Sequence, residues 1–356
     1  MVIVGARIGR RLSATCPDAR RVGRCGGRAV RPRRTRGVSG IAAGKGHSLY
    51  PVESHPMKKT IERQERGVCL LSWNIQWGRG ADGRVDLERT RDAIRAVGPL
   101  DLICLQEVAS NFPGLAGGAR EDEPAFFADA FPDFEPVFGA GMDVPDGEGG
   151  RARFGNLLLS RLPVGQVFRH LLPSPADPAW PAMQRVCVEA VVEAPWGPLR
   201  VLSTHLEYYS ARQRRAQVEA LRALQAEAAD LARLPAAGKE SNPAFAARPR
   251  PAAAVLCGDF NCEPGSAEYL ALQRPLPASG LAADVARPHW TDAWPLVHGA
   301  RAHAPSVGLH GAEWPEHAYC CDFFFVSTDL APRVRAVEVR ADTPASDHQP
   351  VVMELA

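Results

Sequence analysis

From residue 68 onward the chain repeatedly enters short runs that are apolar on both alternating positions, and this feature narrows the fold most. VCLLSWNI (68–75), DLICLQEV (101–108), FGNLLLSRLPV (154–164), VCVEAVVEA (186–194), PLRVLSTHLE (198–207), AAVLCGDF (253–260), DFFFVS (322–327), VRAVEVR (334–340) and QPVVMEL (349–355) are of strand length. A strand with no polar face must be covered on both sides. Between these runs lie helical patterns. DLERTRDAIRAVG (86–98) places Leu87, Ile94 and Val97 on one side and stops at Gly98, and PAFFADAFP (124–132) suggests a short helix. The clearest helix is 210–234: Ser210 and Gln213 form an S-x-x-Q capping box, and Val218, Leu221, Leu224, Ala228 and Leu231 share a face. Many strands mixed with helices, no internal repeat and no recurring Gly-rich βα turn predict an α/β sandwich.

Charge divides the chain into two materials. The first 56 residues hold 12 Lys and Arg against two acids, which leaves 30 basic and 38 acidic groups of the chain's 42 and 40 for the remaining 300. Residues 1–66 read as a basic, disordered extension ahead of one domain at 67–356, with Met57 a candidate start. The extension has no apolar h-region of a secretory signal, and charge alone gives it a route to nucleic acid. No run reaches 18 apolar residues, so no transmembrane helix is expected. Most of the nine cysteines, such as Cys69, Cys104, Cys187 and Cys257, sit inside apolar runs. That is how small buried hydrophobes look, and it predicts a reduced, cytoplasmic protein without a disulfide scaffold.

The chemistry gathers at strand ends. Asn74 closes the first run, Glu107 the second, His205 that of VLSTHL, and Asp259 with Asn261 that of VLCGDFN. Asp322 opens DFFFVS, and Asp347 and His348 precede the last run. Any one of these could be a turn former, but strand ends converge on one rim of a sandwich. Carboxylates and an amide without zinc-like cysteine spacing describe an oxygen-rich site for Mg²⁺ or Mn²⁺. Two histidines beside them titrate near neutrality and suit proton transfer. Together they point to hydrolysis of a phosphate ester by activated water.

WNIQW, LQEV, GNLLLSR, THLE, GDFN, DFFFVS and SDHQPV, in that order, resemble the endonuclease/exonuclease/phosphatase superfamily of deoxyribonuclease-I-like enzymes over about residues 68–356. The resemblance implies a four-layered α/β/β/α sandwich and metal-dependent phosphoesterase activity. It implies that Glu107 is the principal Mg²⁺ ligand, with Asn74 helping to hold metal and phosphate and Asp347 near the metal. Asp259 would orient or deprotonate water, Asn261 bind phosphate, and His348, oriented by Asp322, act on the scissile phosphate. His205 would be a general acid. Where many members carry Arg or Lys before the Asp of the DFFFVS motif, this chain has Cys321.

Fold and chemistry do not select a substrate. The acidic balance of the globular part favours a small-molecule or lipid phosphoester over long duplex nucleic acid. A nuclease of the same fold is the alternative, and a non-catalytic binding module is disfavoured because every expected catalytic position is filled. Arg185 and Arg212 are candidate phosphate contacts, with a solvated surface as the competing role for each. Tyr208 and Tyr209 could stack on a base or line a lipid groove. The segment 287–317, rich in His and Trp, is expected as a long loop over the rim before Asp322; a second metal site there, or at Cys320–Cys321, is a weaker expectation.

Overall fold

The computed structural model describes residues 67–239, 241–278, 286–311, 315 and 317–356. The basic segment 1–66 lies outside the described residues, and with it the reading of Met57. Among the described residues twelve strands and five α-helices follow in order: β1 (Val68–Asn74), α1 (Leu87–Ala96), β2 (Leu102–Ser110), α2 (Glu123–Ala130), β3 (Glu135–Pro145), β4 (Arg151–Ser160), β5 (Val164–Leu171), β6 (Val186–Ala194), β7 (Gly197–His205), α3 (Ala211–Arg233), β8 (Ala254–Asp259), α4 (Ala267–Leu272), β9 (Trp290–Asp292), α5 (Ala293–His298), β10 (Asp322–Ser327), β11 (Val334–Val339) and β12 (Val351–Leu355). They form two six-stranded sheets, β11-β12-β1-β2-β4-β3 and β5-β6-β7-β8-β10-β9.

The apolar runs are two-faced because each sheet is covered twice. In β10, Phe324 and Val326 enter the core between the sheets, with Leu70, Leu102, Leu158, Val201 and Val255. Phe323 and Phe325 point the other way, into a cluster with Val218 and Leu221 of α3 and Tyr269 and Leu272 of α4. On the outer face of the first sheet, Leu71, Trp73, Ile103 and Leu105 pack with Ile94 of α1 and Phe127 of α2. The layers are therefore helix, sheet, sheet, helix, as the resemblance implied.

Several local expectations needed correction. The run 154–164 is not one strand: β4 ends at Ser160 and β5 begins at Val164 in the other sheet, because Pro163 has no N–H to continue a ladder. The edge strands β3 and β5 and the short β9 carried no unbroken apolar signal, since an edge strand is exposed along one side. The segment 287–317 is only partly a loop, for β9 and α5 lie within it. The capping box of α3 is half-formed. Ser210 Oγ accepts from the Gln213 N–H at 3.1 Å, but the Gln213 amide donates to the Pro175 carbonyl instead of returning to Ser210.

Candidate active site

Sheet register assembles the site. In the parallel pair β7–β8, His205 lies opposite Asp259; in the antiparallel pair β8–β10, Asp322 lies opposite Asp259. Three chemically capable residues thus share one sheet end. In the facing sheet Asn74 of β1 pairs with Gln106 of β2. The β2–β4 register then shifts between Leu105 and Val108, and Glu107 adopts a left-handed φ of 56°. Such a backbone costs a non-glycine residue about 1–3 kcal/mol, and a bulge is a common way to re-aim a side chain. Gly258, one residue before Asp259, has a φ of +138° and approaches Thr204 so closely that a Cβ would stand 1.8 Å from its carbonyl oxygen. The glycine of GDFN is therefore sterically required.

The side chains form one connected network. Asn74 Nδ2 donates to Glu107 Oε1 at 2.9 Å and to Asp259 Oδ2 at 3.1 Å, while its Oδ1 accepts from the Gln76 N–H at 3.1 Å. The Gln76 amide donates to Asp347 Oδ2 at 2.9 Å. On the other side, His348 Nδ1 lies 2.8 Å from Asp322 Oδ2, which also accepts from Ser306 Oγ at 2.7 Å. His348 Nε2 points toward Asp259 Oδ2 at 3.7 Å. His205 Nε2 is 3.4 Å from the same oxygen and 3.0 Å from Asn261 Nδ2.

Burial and charge split the protonation states of these groups. Burial, reinforced by the nearby Asp347 charge, raises the Glu107 carboxyl to about 7. Burial likewise raises Asp259 to about 6, against the opposing pull of His348. For His348 burial opposes the charged form, but Asp322 and Asp259 outweigh it and hold the imidazole well above its usual range. His205 goes the other way, driven down by burial and by the Arg185 and His348 charges. The two histidines thus present different protonation states at neutral pH, the pattern by which one site separates proton roles.

A family model described as "Endonuclease/Exonuclease/phosphatase family" matches residues 71–348. The chain belongs to this family. Among solved structures, an endonuclease/exonuclease/phosphatase from Beutenbergia cavernae is 25% identical, with a TM-score of 0.56 over 82% of this chain and 72% of its own. A mannosyl-6-phosphatase of Bacteroides thetaiotaomicron is 18% identical, with a TM-score of 0.54 over 81% of this chain and 99% of its own. The human nocturnin catalytic domain, solved with a bound sulfate anion, is 17% identical, with a TM-score of 0.50 over 82% of this chain and 94% of its own. No curated protein matches. The last two likenesses establish the deoxyribonuclease-I-like fold alone.

Members of this family are generally dependent on a divalent metal, and the donor set here fits a hard cation. Glu107, Asp259 and Asp347 all face one cleft of about 560 Å³, where Arg185 is the only Lys or Arg among the described lining residues. Carboxylate oxygens in that number suit Mg²⁺ or Mn²⁺. Asn74 meets the two carboxylates through its NH₂ and would turn its amide over to offer oxygen to an ion. Donor atoms of Asp259, Cys321 and His348 also lie within 4.8 Å of one another. That mixed set fits a hard ion less well: burial and the Asp322 charge keep the Cys321 thiol protonated, and His348 Nδ1 is committed to Asp322.

Of the residues singled out in the sequence, Glu107, Arg185, His205, Asp259, Asn261, Asp347 and His348 line the cleft. Asn74 and Asp322 sit behind them through the bonds above. Arg185 is 6% exposed, holds Glu207 Oε2 through Nε at 3.3 Å, and has a buried Nη1 with no hydrogen-bond partner. Arg212 stands apart: it is not among the cleft's lining residues, and its guanidinium donates to the Ala176 carbonyl at 2.8 Å. Tyr208 and Tyr209 line the cleft mouth. The histidines of 287–317 separate, His298 to the Val337 carbonyl, His303 to Asp292 and His310 to the Ala341 carbonyl. Cys320 and Cys321 are free thiols. Gln76 and Ser306 escaped the sequence reading. Gln76 lies inside WNIQW and could have been found there, whereas Ser306 sits in a loop with no pattern to mark it.

Proposed function

We propose that this protein hydrolyses phosphoester bonds with the aid of Mg²⁺ or Mn²⁺, on a small-molecule or lipid substrate. The observation that carries the reading is the Asp322–His348–Asp259 chain facing Glu107 across one cleft. Glu107 and Asp347, with Asn74 after an amide turn, would hold the ion, which when bound neutralises phosphate charge and acidifies water. Asp259, its carboxyl raised toward neutrality, is suited to take a proton from the attacking water. His348, kept cationic by Asp322, supplies a charged N–H to a non-bridging phosphate oxygen. Asn261 and the guanidinium of Arg185, both lining the cleft, are further donors to phosphate.

His205 takes a different part from the general acid that the resemblance implied. Burial and the Arg185 and His348 charges leave the imidazole neutral at pH 7, so its Nε2 accepts from the Asn261 amide at 3.0 Å and it positions Asn261 instead of waiting as a cationic acid. Asp322 and Ser306 are positioning residues, acting through His348.

A panel of bis-p-nitrophenyl phosphate, sphingomyelin, plasmid and an abasic oligonucleotide, each read with and without chelator, tests the proposal. Chelator-sensitive cleavage of a small or lipid ester with nucleic acid untouched is expected. Rapid plasmid nicking would favour the nuclease reading, for which the half-exposed Tyr209 at the cleft mouth offers a stacking surface. No hydrolysis of any phosphoester, and no metal binding, would leave a binding module.

A further inference from the structure

One wall of the cleft carries none of the chemistry described above. It is built from Trp77, Phe112, Leu115, Met142, Phe154 and Met183. These side chains come from five separated stretches, and tertiary structure brings them together beside the carboxylates. Phe154 pairs with Ala109, two residues beyond Glu107 along β2, and Met142 is the cross-strand partner of Phe154 on β3. The wall therefore starts where the carboxylate group ends.

Two features show a built surface in place of incidental exposure. Trp77 has a φ of 44°, as its neighbour Gln76 has one of 47°; for a bulky residue the left-handed region is a costly conformation. The consequence is that consecutive side chains diverge, Gln76 to Asp347 and Trp77 to the apolar wall. The indole is then tied by Nε1 to the Ala116 carbonyl at 3.0 Å. Its ring meets Phe154 at 6.4 Å and 55°, and Phe112 meets Phe154 at 6.0 Å and 72°.

We propose that this wall is a subsite for an alkyl chain attached to a substrate bearing a single phosphate group. The inference rests on the phosphoesterase reading and adds the substrate's shape. Charge argues for one phosphate, because Arg185 is the only Lys or Arg among the described lining residues, set against three carboxylates. A polyphosphate or a nucleic-acid backbone needs a basic track. Ring geometry argues for a chain over a flat base: rings tilted at 55° and 72° present a ridged surface. Leu115 and the two thioethers, Met142 and Met183, are deformable filler that moulds to a flexible hydrocarbon.

Binding of non-hydrolysable phosphonates, measured calorimetrically in buffer containing Mg²⁺, tests this apart from leaving-group chemistry. Each methylene reaching the wall should tighten binding about two- to four-fold, so that octylphosphonate binds at least about 10²-fold more tightly than methylphosphonate. The partly exposed pair L115S/M183S should reduce the dependence on chain length to less than half. A flat series, phenylphosphonate binding more tightly than octylphosphonate, or an unchanged slope in the double variant would overturn the alkyl subsite. If bis-p-nitrophenyl phosphate is hydrolysed while the phosphonate series is flat, only this inference fails. If no phosphoester is hydrolysed, the underlying reading fails with it.

Discussion

Replacing Asp322 by Asn tests the catalytic geometry with little change of shape. The carboxylate is buried, its Oδ2 bridges His348 Nδ1 at 2.8 Å and Ser306 Oγ at 2.7 Å, and its Oδ1 has no partner. An amide in its place removes the charge that holds His348 cationic. If its NH₂ faces the ring, it also forces the imidazole proton from Nδ1 to Nε2. Burial, no longer outweighed by Asp322, then pushes the His348 pKa down; Asp259 at 3.7 Å remains the nearer compensating charge. The sign follows directly. In the wild type the rate should fall on the acid side as Asp259 protonates near 6 and on the alkaline side only when His348 deprotonates well above its ordinary range. In D322N that alkaline limb should move to lower pH. Loss of a positioned proton-transfer group costs about 10²–10⁴ in turnover, or about 3–5 kcal/mol in the barrier. The assay is kcat against pH on bis-p-nitrophenyl phosphate at saturating Mg²⁺, with circular dichroism to confirm the fold. A folded D322N within about threefold of wild-type turnover, or with an unmoved alkaline limb, refutes the role given to Asp322.

Other substitutions probe separate links. Glu107→Gln should lower turnover by at least about 10²-fold and raise the Mg²⁺ concentration for half-maximal rate; near-wild-type rates at saturating Mg²⁺ would remove Glu107 from the metal site. Arg185→Ala should lower kcat/KM by about 10- to 10²-fold, the worth of one charged hydrogen bond, and steady-state kinetics will show whether it does. Gly258→Ala, with a Cβ 1.8 Å from the Thr204 oxygen, should destabilise by about 3 kcal/mol or more, read as a lower melting temperature; an unchanged one would contradict the close approach. Arg200, fully buried, donates to Glu189 at 2.8 Å and to Gln225 at 2.9 Å. Arg200→Met should cost about 3–5 kcal/mol by leaving a buried carboxylate short of its partner. Burial alone would raise the Glu189 carboxyl, but His170 and Arg200 outweigh it and bring it down to about 2. Its stabilising contribution is thus complete above about 4.5 and lost as pH falls toward 2, and denaturant melts of R200M should show a shallower acid slope across that window.

How far the sequence could be read depended on how local each cause is. Strands covered on both faces are filled mainly by apolar residues, so β6 and β10 were legible to the residue even though β6 buries Glu189. Edge strands have one exposed side and admit glycines and charges, so β3 and β5 left no mark, whereas β11, also at an edge, was read from VRAVEV. The length of α3 was written in its period and in Ser210, yet the Gln213 side chain turned its NH₂ to the Pro175 carbonyl, a tertiary contact that no local pattern records.

The site divides in the same way. Which carboxylates, amides and imidazoles lie at or near the strand ends was decided by the chain itself, and the order of motifs sufficed to indicate the family. Glu107, however, proved to sit at a bulge inside β2 and not at its end. What each group does with its neighbours was decided only in three dimensions. The in-register pairing of His205, Asp259 and Asp322, the bulge that turns Glu107, and the Ser306 hydroxyl behind Asp322 join residues far apart in the chain. The opposite protonation of His205 and His348 follows from the same packing. Two histidines of one intrinsic acidity diverge because one is buried near Arg185 and the other against Asp322, and no sequence spacing records which charge will stand beside which ring.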